Sequence, residues 1–345
     1  MKPFKTNDYP GSCYSAAFRS QGRWVTYSHG SHRNGGNPTT NSSLFDLASL
    51  TKVVCTLPLC LILIKEKQLD LEKKLKFYVS SAGWFQDPSL GDVTISDLLS
   101  HTSGLPAWKP LFSISKDPEV LRANVLQTSL VKNGVRCYSD LGMILLGHLI
   151  ERISGTTLDV LLDEWVLNPL GMNHTCFNPL DRYESDDCVA TEDCGWRKKI
   201  MQGTVHDENA YAMGGISGHA GLFSTIEDLT KYMDAWCDYL GELSLEEEVH
   251  RIIEIKGDNQ NLPNFTLGWR IAPSLEFSGV GNYEGAFGHT GYTGTSLWFD
   301  PIKKTSIIVL NNRVHPTRLE TDGSIRNFRE TVHNYFLEKR NKIIL

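Results

Sequence analysis

The 345-residue sequence predicts an α/β fold in which both ends of the chain complete one sheet and a helical lobe lies between them. Strand patterns occur near the N-terminus and return after about residue 262, whereas helical patterns fill most of the chain between them. Strands that are distant in sequence but share one sheet must enclose the residues that separate them. The middle of the chain is therefore expected to be an insertion.

The first predicted element is a β-hairpin within residues 15–30. The stretch SAAFRSQGRWVTYSHG has strand-forming residues on both sides of Ser20-Gln21-Gly22. Glycine in so short a connection permits the positive φ of a tight hairpin turn. A polar loop over residues 34–43 follows, and a helix is then expected from about Ser49 to Glu66, bent or stepped at Pro58.

Helices are predicted over about residues 71–260. Thr94–Asp97 and Ser224–Glu227 are capping-box sequences, each followed by apolar residues at helical spacing. Residues 141–153, LGMILLGHLIERI, form a further apolar helix that is closed by Ser154-Gly155.

The C-terminal part returns to strands. FTLGWRIA, GYTGTSLWFD and TSIIVLNN are strand patterns, the last two separated by a turn at Asp300-Pro301. Residues 324–342 then place four apolar side chains on one helical face, which predicts a final helix that packs on the sheet.

Composition argues against several classes of partner. Lys and Arg number 34 against 40 Asp and Glu, a net charge of −6 with no basic block, so nucleic acid is not expected as a partner. The apolar stretch 47–64 is interrupted by polar residues and proline, which predicts a buried helix rather than a membrane span. The N-terminal residues lack the apolar core of a signal peptide, which predicts a cytoplasmic protein unless a leader has been removed.

The eight cysteines contain no C-x-x-C pair and are expected to be reduced, mostly as small core residues. Cys176, Cys188 and Cys194 with His174 have spacings that fit no standard zinc template. No metal ion or other cofactor is therefore expected.

The candidate nucleophile is a serine followed by a lysine three residues later. No serine satisfies G-x-S-x-G, since the nearest sequence, GISGH, ends in His219. Three pairs have the S-x-x-K spacing: Ser49/Lys52, Ser113/Lys116 and Ser129/Lys132. Helix-disfavouring residues follow the second and third pairs directly, so only Ser49 begins a long helix.

The start of a helix suits a nucleophile because its unpaired N–H groups can receive an oxyanion. Lys52 lies one turn after Ser49 on the same face, and partial dehydration would lower its pKa enough for it to accept the serine proton. A capping serine and a surface-reaching lysine would give the same pattern. The isolated pair therefore does not decide between the two interpretations.

Two further motifs complete a pattern: Tyr138-Ser139-Asp140 and His289-Thr290-Gly291-Tyr292. The order S-x-x-K, Y-x-N-like and K-T-G-like resembles the serine β-lactamase and penicillin-binding-protein superfamily, above all class C β-lactamases, family VIII esterases and D-aminopeptidase-type enzymes. The flanking segments LLSHTSGL, NPLGM and GGISGHAGLFSTIEDL strengthen the resemblance. It extends over essentially the whole chain.

The resemblance implies an antiparallel sheet flanked by helices, in the α+β arrangement of β-lactamases and transpeptidases. It divides the chain into an α/β sheet domain, residues 1–72 plus 263–345, and an inserted helical domain, residues 73–262. The active site is expected at the interface of the two domains.

The resemblance also implies roles for individual residues. Ser49 would be the acylated nucleophile, Lys52 and Tyr138 the proton-transfer pair, and the backbone N–H groups of Ser49 and Tyr292 the oxyanion hole. The remaining positions would contact the substrate, with His289 and Thr290 lining the cleft: Asp140, His289, Thr290, Gly291 and Tyr292.

Two positions depart from the family's best-known pattern. His289 replaces a lysine, and because histidine is mostly neutral near pH 7, capture of a substrate carboxylate should weaken. Asp140 replaces an asparagine, and a carboxylate near Lys52 would raise the lysine pKa and move the role of base toward Tyr138. His101, His206 and His219 are interpreted as loop and packing histidines, with His219 the candidate to border the cleft.

The sequence therefore predicts a cofactor-independent serine hydrolase with an acyl-enzyme intermediate, chiefly of the esterase type and acting on small esters or amides. The alternatives are a D-amino-acid or cell-wall-peptide amidase or carboxypeptidase that recycles muropeptides, a weak β-lactamase, and a catalytically silent ligand-binding homologue. The expected partner is a small ester, amide or β-lactam-like molecule, selected by residues 108–119 and 181–204. The oligomeric state stays open.

Overall fold

The computed structural model describes residues 8–79, 85–131, 137–238, 265–272, 286–319 and 322–339. It has one large antiparallel sheet, two small sheets and helices on both sides of the large sheet, so the predicted fold class is confirmed. The alternative lysine Lys132 and the predicted domain boundary at residue 263 lie outside the described residues.

The large sheet has seven strands in the order β2-β1-β12-β11-β10-β9-β8, and both ends of the chain contribute to it. Residue Ala16 of β1 lies opposite Val309 of β12. The strands are β1 (Cys13–Ser20), β2 (Arg23–Gly30), β8 (Phe265–Thr266), β9 (Trp269–Ile271), β10 (Phe287–Thr290), β11 (Ser296–Asp300) and β12 (Thr305–Asn311).

The predicted N-terminal hairpin is present. Gln21 and Gly22 both have positive φ, 49° and 73°, as a two-residue hairpin turn requires. The small sheets contain β3 (Phe45–Asp46), β7 (Leu222–Ser224) and β4 (Cys176–Phe177), and the hairpin β5 (Ala190–Cys194) with β6 (Lys199–Gln202).

The described helices lie mostly between the two sets of strands. They are α1 (Leu57–Lys65), α2 (Leu75–Tyr78), α3 (Ile95–Leu99), α4 (Pro118–Leu126), α5 (Asp140–Ser154), α6 (Leu158–Leu162), α7 (Asn168–Leu170), α8 (Glu208–Ala212), α9 (Ile226–Asp238) and α10 (Asp322–Lys339). The terminal helix α10 covers one face of the large sheet with Ile325, Phe328, Val332 and Phe336, as its sequence pattern predicts.

The helix that carries the candidate nucleophile differs from the simple helix expected from about Ser49. It begins as a 3-10 turn over Ala48–Leu50, continues as a π-helical turn over Lys52–Thr56, and is α-helical only from Leu57. Pro58 has no N–H to bond to the carbonyl four residues earlier, so the regular α-helical pattern cannot extend back through this turn.

The same helical stretch, Ala48–Lys65, is the one among the described residues that is long and apolar enough to cross a membrane. Most of it, 78%, is buried inside the protein, as in the core helix of a globular fold. The cysteines are all free, and every one except the half-buried Cys137 is buried.

Candidate active site

Ser49 is held by an unusual backbone turn between β3 and the helix. The preceding residue, Ala48, has φ of +47°, a left-handed conformation that non-glycine residues rarely adopt. Its N–H donates to Asp46 Oδ1 at 2.8 Å, and Thr51 Oγ1 donates to its carbonyl at 2.7 Å. These bonds offset the strain and fix Ser49, which is half-buried at the edge of a cleft.

Lys52 is fully buried and its ammonium has three oxygen neighbours. Nζ donates to Ser49 Oγ and to the carbonyl of His219, both at 2.9 Å, and pairs with Asp140 Oδ1 at 2.7 Å. Burial acts to lower the pKa of Lys52, but the charge of Asp140, together with Tyr138, outweighs it and the pKa is raised. Lys52 is therefore a cation at neutral pH.

Tyr138 belongs to a turn that a neighbouring loop holds in place. Ser139 caps α5, and its N–H donates to His101 Nδ1 at 3.1 Å. The N–H of Asp140 donates to the carbonyl of Ala107 at 2.9 Å. The segment LLSHTSGL, which the sequence offered only as part of a resemblance, thus supports the turn that presents Tyr138.

The strand end after β10 packs against the segment that leads into Ser49. Gly291 lies so close to the nucleophile segment that a Cβ there would come within 2.5 Å of the carbonyl oxygen of Leu47. Thr293 Oγ1 donates to the carbonyl of Asp46 at 2.8 Å, and Thr295 Oγ1 donates to that of Leu47 at 3.0 Å. Two hydroxyls and one glycine therefore join this strand end to the segment that leads into Ser49.

The expectation that His289 lines the cleft is corrected by its position. Thr290, Gly291 and Tyr292 face the cleft, whereas His289 is completely buried beside Tyr138, with ring centroids 5.8 Å apart. Side chains alternate along β10, so the strand cannot present two neighbours to the same side. Burial lowers the pKa of His289 well below its usual value, and the positive charges of Arg270 and Lys52 act in the same direction.

Arg270 is a cleft residue that sequence reasoning missed. It lies on β9, opposite Gly288 of β10, and its guanidinium is 5.1 Å from the centre of the Tyr138 ring and 4.7 Å from that of Phe265. The segment FTLGWRIA had marked a strand, but only the pairing of β9 with β10 brings this arginine to the cleft.

The other wall contains two histidines, each paired with a carboxylate. His206 Nε2 is 3.1 Å from Glu192 Oε2, and His219 Nε2 is 2.9 Å from Asp207 Oδ1. Burial acts to raise the pKa of Glu192, but hydrogen bonds from His206 and Arg318 outweigh it and lower the pKa to about 2. For Asp207 burial acts in the same way and is outweighed chiefly by His219, so its pKa is lowered as well.

The cleft between these walls has a volume of about 750 Å³, which suits a small organic ligand. Ser49, Tyr138 and Asp140 line it together with Thr290, Gly291 and Tyr292. Among the described lining residues there are three carboxylates, Asp140, Asp207 and Glu208, and five arginines: Arg270, Arg313, Arg318, Arg326 and Arg329. Arg318 forms ion pairs with Glu208 and Glu192, so the excess of positive charge in the lining comes from the other four arginines.

Comparison with known proteins identifies the family of this chain. The sequence profile of the Beta-lactamase family matches residues 9–329. The chain belongs to the β-lactamase family. It is a serine hydrolase, which confirms the family resemblance and the enzyme class predicted from the sequence.

Two relatives of this β-lactamase-family protein are named for an activity. The N-acetylmuramyl-L-alanine amidase of Bacillus subtilis is 31% identical over 306 residues, which are 79% of this chain and 68% of that protein. A putative D-alanyl-D-alanine carboxypeptidase of Salmonella enteritidis is 31% identical over 310 residues, 80% of this chain and 71% of that protein. Among solved structures, a class C β-lactamase from Rhodobacter sphaeroides aligns with a TM-score of 0.72 over 95% of both chains at 18% identity, which shows a shared fold.

Proposed function

We propose that this protein hydrolyses small amides of the cell-wall-peptide type that carry a free carboxylate, through an acyl-enzyme on Ser49. The observation that carries the proposal is the positive cleft, in which five arginines and three carboxylates lie around the serine. Opposite charges attract most strongly where water is partly excluded. The amidase and carboxypeptidase named among the relatives support the same substrate class.

In the proposed reaction Tyr138 begins as a phenolate beside the Lys52 ammonium, and it takes the serine proton as Ser49 Oγ attacks the amide carbonyl carbon. Lys52 stays an ammonium, because Asp140 at 2.7 Å stabilises its charge, and it donates toward Ser49 Oγ at 2.9 Å. Tyr138 then gives the proton to the leaving nitrogen as the C–N bond breaks, and becomes a phenolate again. It next takes a proton from the water that attacks the acyl carbonyl carbon, and returns this proton to Ser49 Oγ as the ester C–O bond breaks, which releases the acid and restores Ser49.

The oxyanion of this reaction would form between the backbone N–H groups of Ser49 and Tyr292. Both residues line the cleft, and Thr293 and Thr295 connect their segments. Donors that are fixed before the reaction begins need no reorganisation when negative charge develops on the carbonyl oxygen.

Arg270 is the cation that we assign to the substrate carboxylate. His289 is buried and neutral near pH 7, so it cannot supply the charge of the lysine that it replaces. Arg270 lies directly over the Tyr138 ring, close to the reacting atoms, and a guanidinium can bind a carboxylate with two parallel hydrogen bonds.

The test compares free acids with their terminal carboxamides. Diacetyl-L-lysyl-D-alanyl-D-alanine and N-acetylmuramyl-L-alanyl-D-isoglutamine are each assayed in both forms with wild type, Ser49→Ala, Arg270→Gln and Arg270→Lys. We expect at least one free acid to be hydrolysed with kcat/KM about tenfold or more above its carboxamide. Ser49→Ala should lose roughly 10⁴-fold or more in rate, and Arg270→Gln should lose the preference that Arg270→Lys partly keeps.

Neutral esters remain the second candidate, because the sequence predicted an esterase and Ser49 is open to the cleft. Hydrolysis of p-nitrophenyl butyrate with neither free acid accepted would favour that candidate and overturn the carboxylate proposal. Full activity of Ser49→Ala on any substrate would overturn the assignment of the nucleophile. Labelling of Ser49 by a fluorophosphonate without turnover of any substrate would instead favour a catalytically silent protein.

A further inference from the structure

Two exposed tryptophans lie beside the active-site cleft, on the two segments expected to select the substrate. Trp108 lines the cleft and is 45% exposed, and Trp196, at the tip of the β5–β6 hairpin, is 51% exposed. Phe112 connects them, with ring centroids 6.3 Å from Trp108 and 5.0 Å from Trp196. These three residues, with Tyr211 beside Trp196, are called the aromatic platform.

The aromatic platform is tied to the cleft wall by hydrogen bonds from two polar side chains. Arg197 donates to the carbonyls of Val205 and His206 at 2.9 and 2.5 Å while its guanidinium lies 4.8 Å from the Tyr211 ring. Asn209 accepts from the N–H of Phe112 at 3.0 Å and donates to the carbonyl of Lys109 at 2.9 Å. These bonds hold the backbone segments that carry the rings, so less of the chain has to become ordered when a ligand binds.

Exposed aromatic rings that are rigidly held beside a cleft indicate a binding surface. An alkyl chain gains free energy in proportion to the area it removes from water, and the half-exposed tryptophans offer it no enclosed groove. A sugar ring instead presents C–H groups on its faces and hydroxyl groups at its rim, so it can stack on an open aromatic ring while its hydroxyls stay hydrated. Polar side chains that could bond the hydroxyls lie near the platform. Glu208 lines the same cleft, and Arg197 lies over the ring of Trp196.

We propose that the aromatic platform binds a sugar ring joined to the acyl side of the substrate, so that the preferred substrate is a sugar-linked peptide. This inference rests on the proposed function, because the sugar is placed relative to an amide that reacts at Ser49. It adds a second recognition element to the positive cleft: the arginines contact the carboxylate, and Trp108 and Trp196 contact the sugar.

The experiment compares N-acetylmuramyl-L-alanyl-D-isoglutamine with D-lactoyl-L-alanyl-D-isoglutamine, which keeps the same amide and carboxylate but lacks the sugar. We expect wild type to show a KM at least about fivefold lower for the sugar-linked compound. Trp108→Ala and Trp196→Ala should remove that difference, so that each variant has similar KM values for the two compounds. Phe77→Ala, which removes an exposed aromatic ring on α2 that does not line the cleft, should leave both substrates unchanged.

A second measurement separates binding from turnover. Ser49→Ala is titrated with N-acetylglucosamine, and binding is detected by saturation-transfer NMR. The saturation-transfer signal of the sugar should be absent in the double variant that carries Ser49→Ala and Trp108→Ala. Equal KM values for the two wild-type substrates would overturn the sugar subsite while leaving the amidase proposal intact. A lower KM of wild type for an N-octanoyl dipeptide than for the sugar-linked compound would also overturn the sugar subsite. If wild type hydrolyses neither the sugar-linked nor the sugar-free compound, and N-acetylglucosamine gives no NMR signal, both the amidase proposal and the sugar subsite are overturned for lactoyl amides.

Discussion

The two walls of the cleft contain the same kind of residue in opposite electrostatic settings. On the Tyr138 side, His101 and His289 are buried among cations, and burial lowers the pKa of each well below its usual value. On the other side, His206 and His219 each face a carboxylate whose pKa is itself lowered. The surroundings, not the residue type, keep His101 and His289 neutral near pH 7.

This difference has a functional consequence for the charges near Ser49. The Tyr138 wall combines neutral histidines with Lys52, Arg270 and the carboxylate of Asp140, which pairs with Lys52. The other wall pairs its histidines with Glu192 and Asp207. Positive charge on the Tyr138 wall therefore lies near Ser49, where the proposed reaction would develop negative charge on the carbonyl oxygen and would bind the substrate carboxylate.

The largest effect is expected from Asp140→Asn, which removes the carboxylate that pairs with Lys52. Without it, burial lowers the pKa of Lys52, and the ammonium loses its proton at a lower pH. Since the proposed reaction needs the ammonium, the alkaline limb of the kcat/KM–pH profile should move down by about one to two pH units. The loss of activity relative to wild type should therefore grow as the pH rises toward about 10.

The control for this prediction is Asp193→Asn, an exposed carboxylate on β5. Its pH profile should match that of wild type. If Asp140→Asn instead gains activity at neutral pH and its acidic limb moves to lower pH, neutral Lys52 is the base and the role given to Tyr138 is wrong.

A smaller effect is expected from Asp207→Asn, which makes the other wall resemble the first. The pKa of Asp207 is lowered in the folded protein, so its charge adds stability above about pH 4, the unfolded value, and that stability is lost as the pH falls. Asparagine keeps the helix cap of α8 but loses the charged hydrogen bond to His219, at a cost of about 2 kcal/mol near pH 7.

Urea unfolding from pH 7 down to pH 3 measures this effect. The free energy of unfolding of Asp207→Asn should approach that of wild type as the pH falls below about 4. A deficit that is the same at every pH would mean that the carboxylate charge is not what stabilises this wall.

The smallest effect is expected from His101→Asn. The folded pKa of His101 is lowered, so below about pH 6.5 the unfolded chain binds a proton that the folded protein does not, and wild type loses about 1.4 kcal/mol of stability per pH unit at this site. The variant lacks this loss. The free energy of unfolding of the variant should therefore approach that of wild type by about 1 kcal/mol between pH 6.5 and pH 5.5.

The comparison with His289→Asn sharpens this last test. Burial lowers the pKa of His289 well below its usual value, so the free energy of unfolding of this variant should approach that of wild type between pH 6.5 and pH 5.5 in the same way. If neither variant approaches wild type as the pH falls, the Tyr138 wall does not hold its histidines neutral.

Much of this site could be predicted from sequence because its motifs are local. The spacing of Ser49 and Lys52 places both on one turn of a helix, and the helix start at Asp140 is marked by a capping serine. Arg270 could not be found in this way, since its place in the cleft depends on the pairing of β9 with β10. The burial of His289 likewise depends on Phe265 and Tyr138, which come from distant parts of the chain.

The sequence by itself determined the α+β class, the sheet shared by both termini and the order of the three motifs, because hydrophobic period and turn residues act over short distances. Only the tertiary structure decided the electrostatics: that Lys52 is held as a cation by Asp140, that His289 is neutral, and that five arginines line one cleft. Charge state depends on burial and on neighbours within a few ångströms, and the fold brings those neighbours together from positions far apart in the chain.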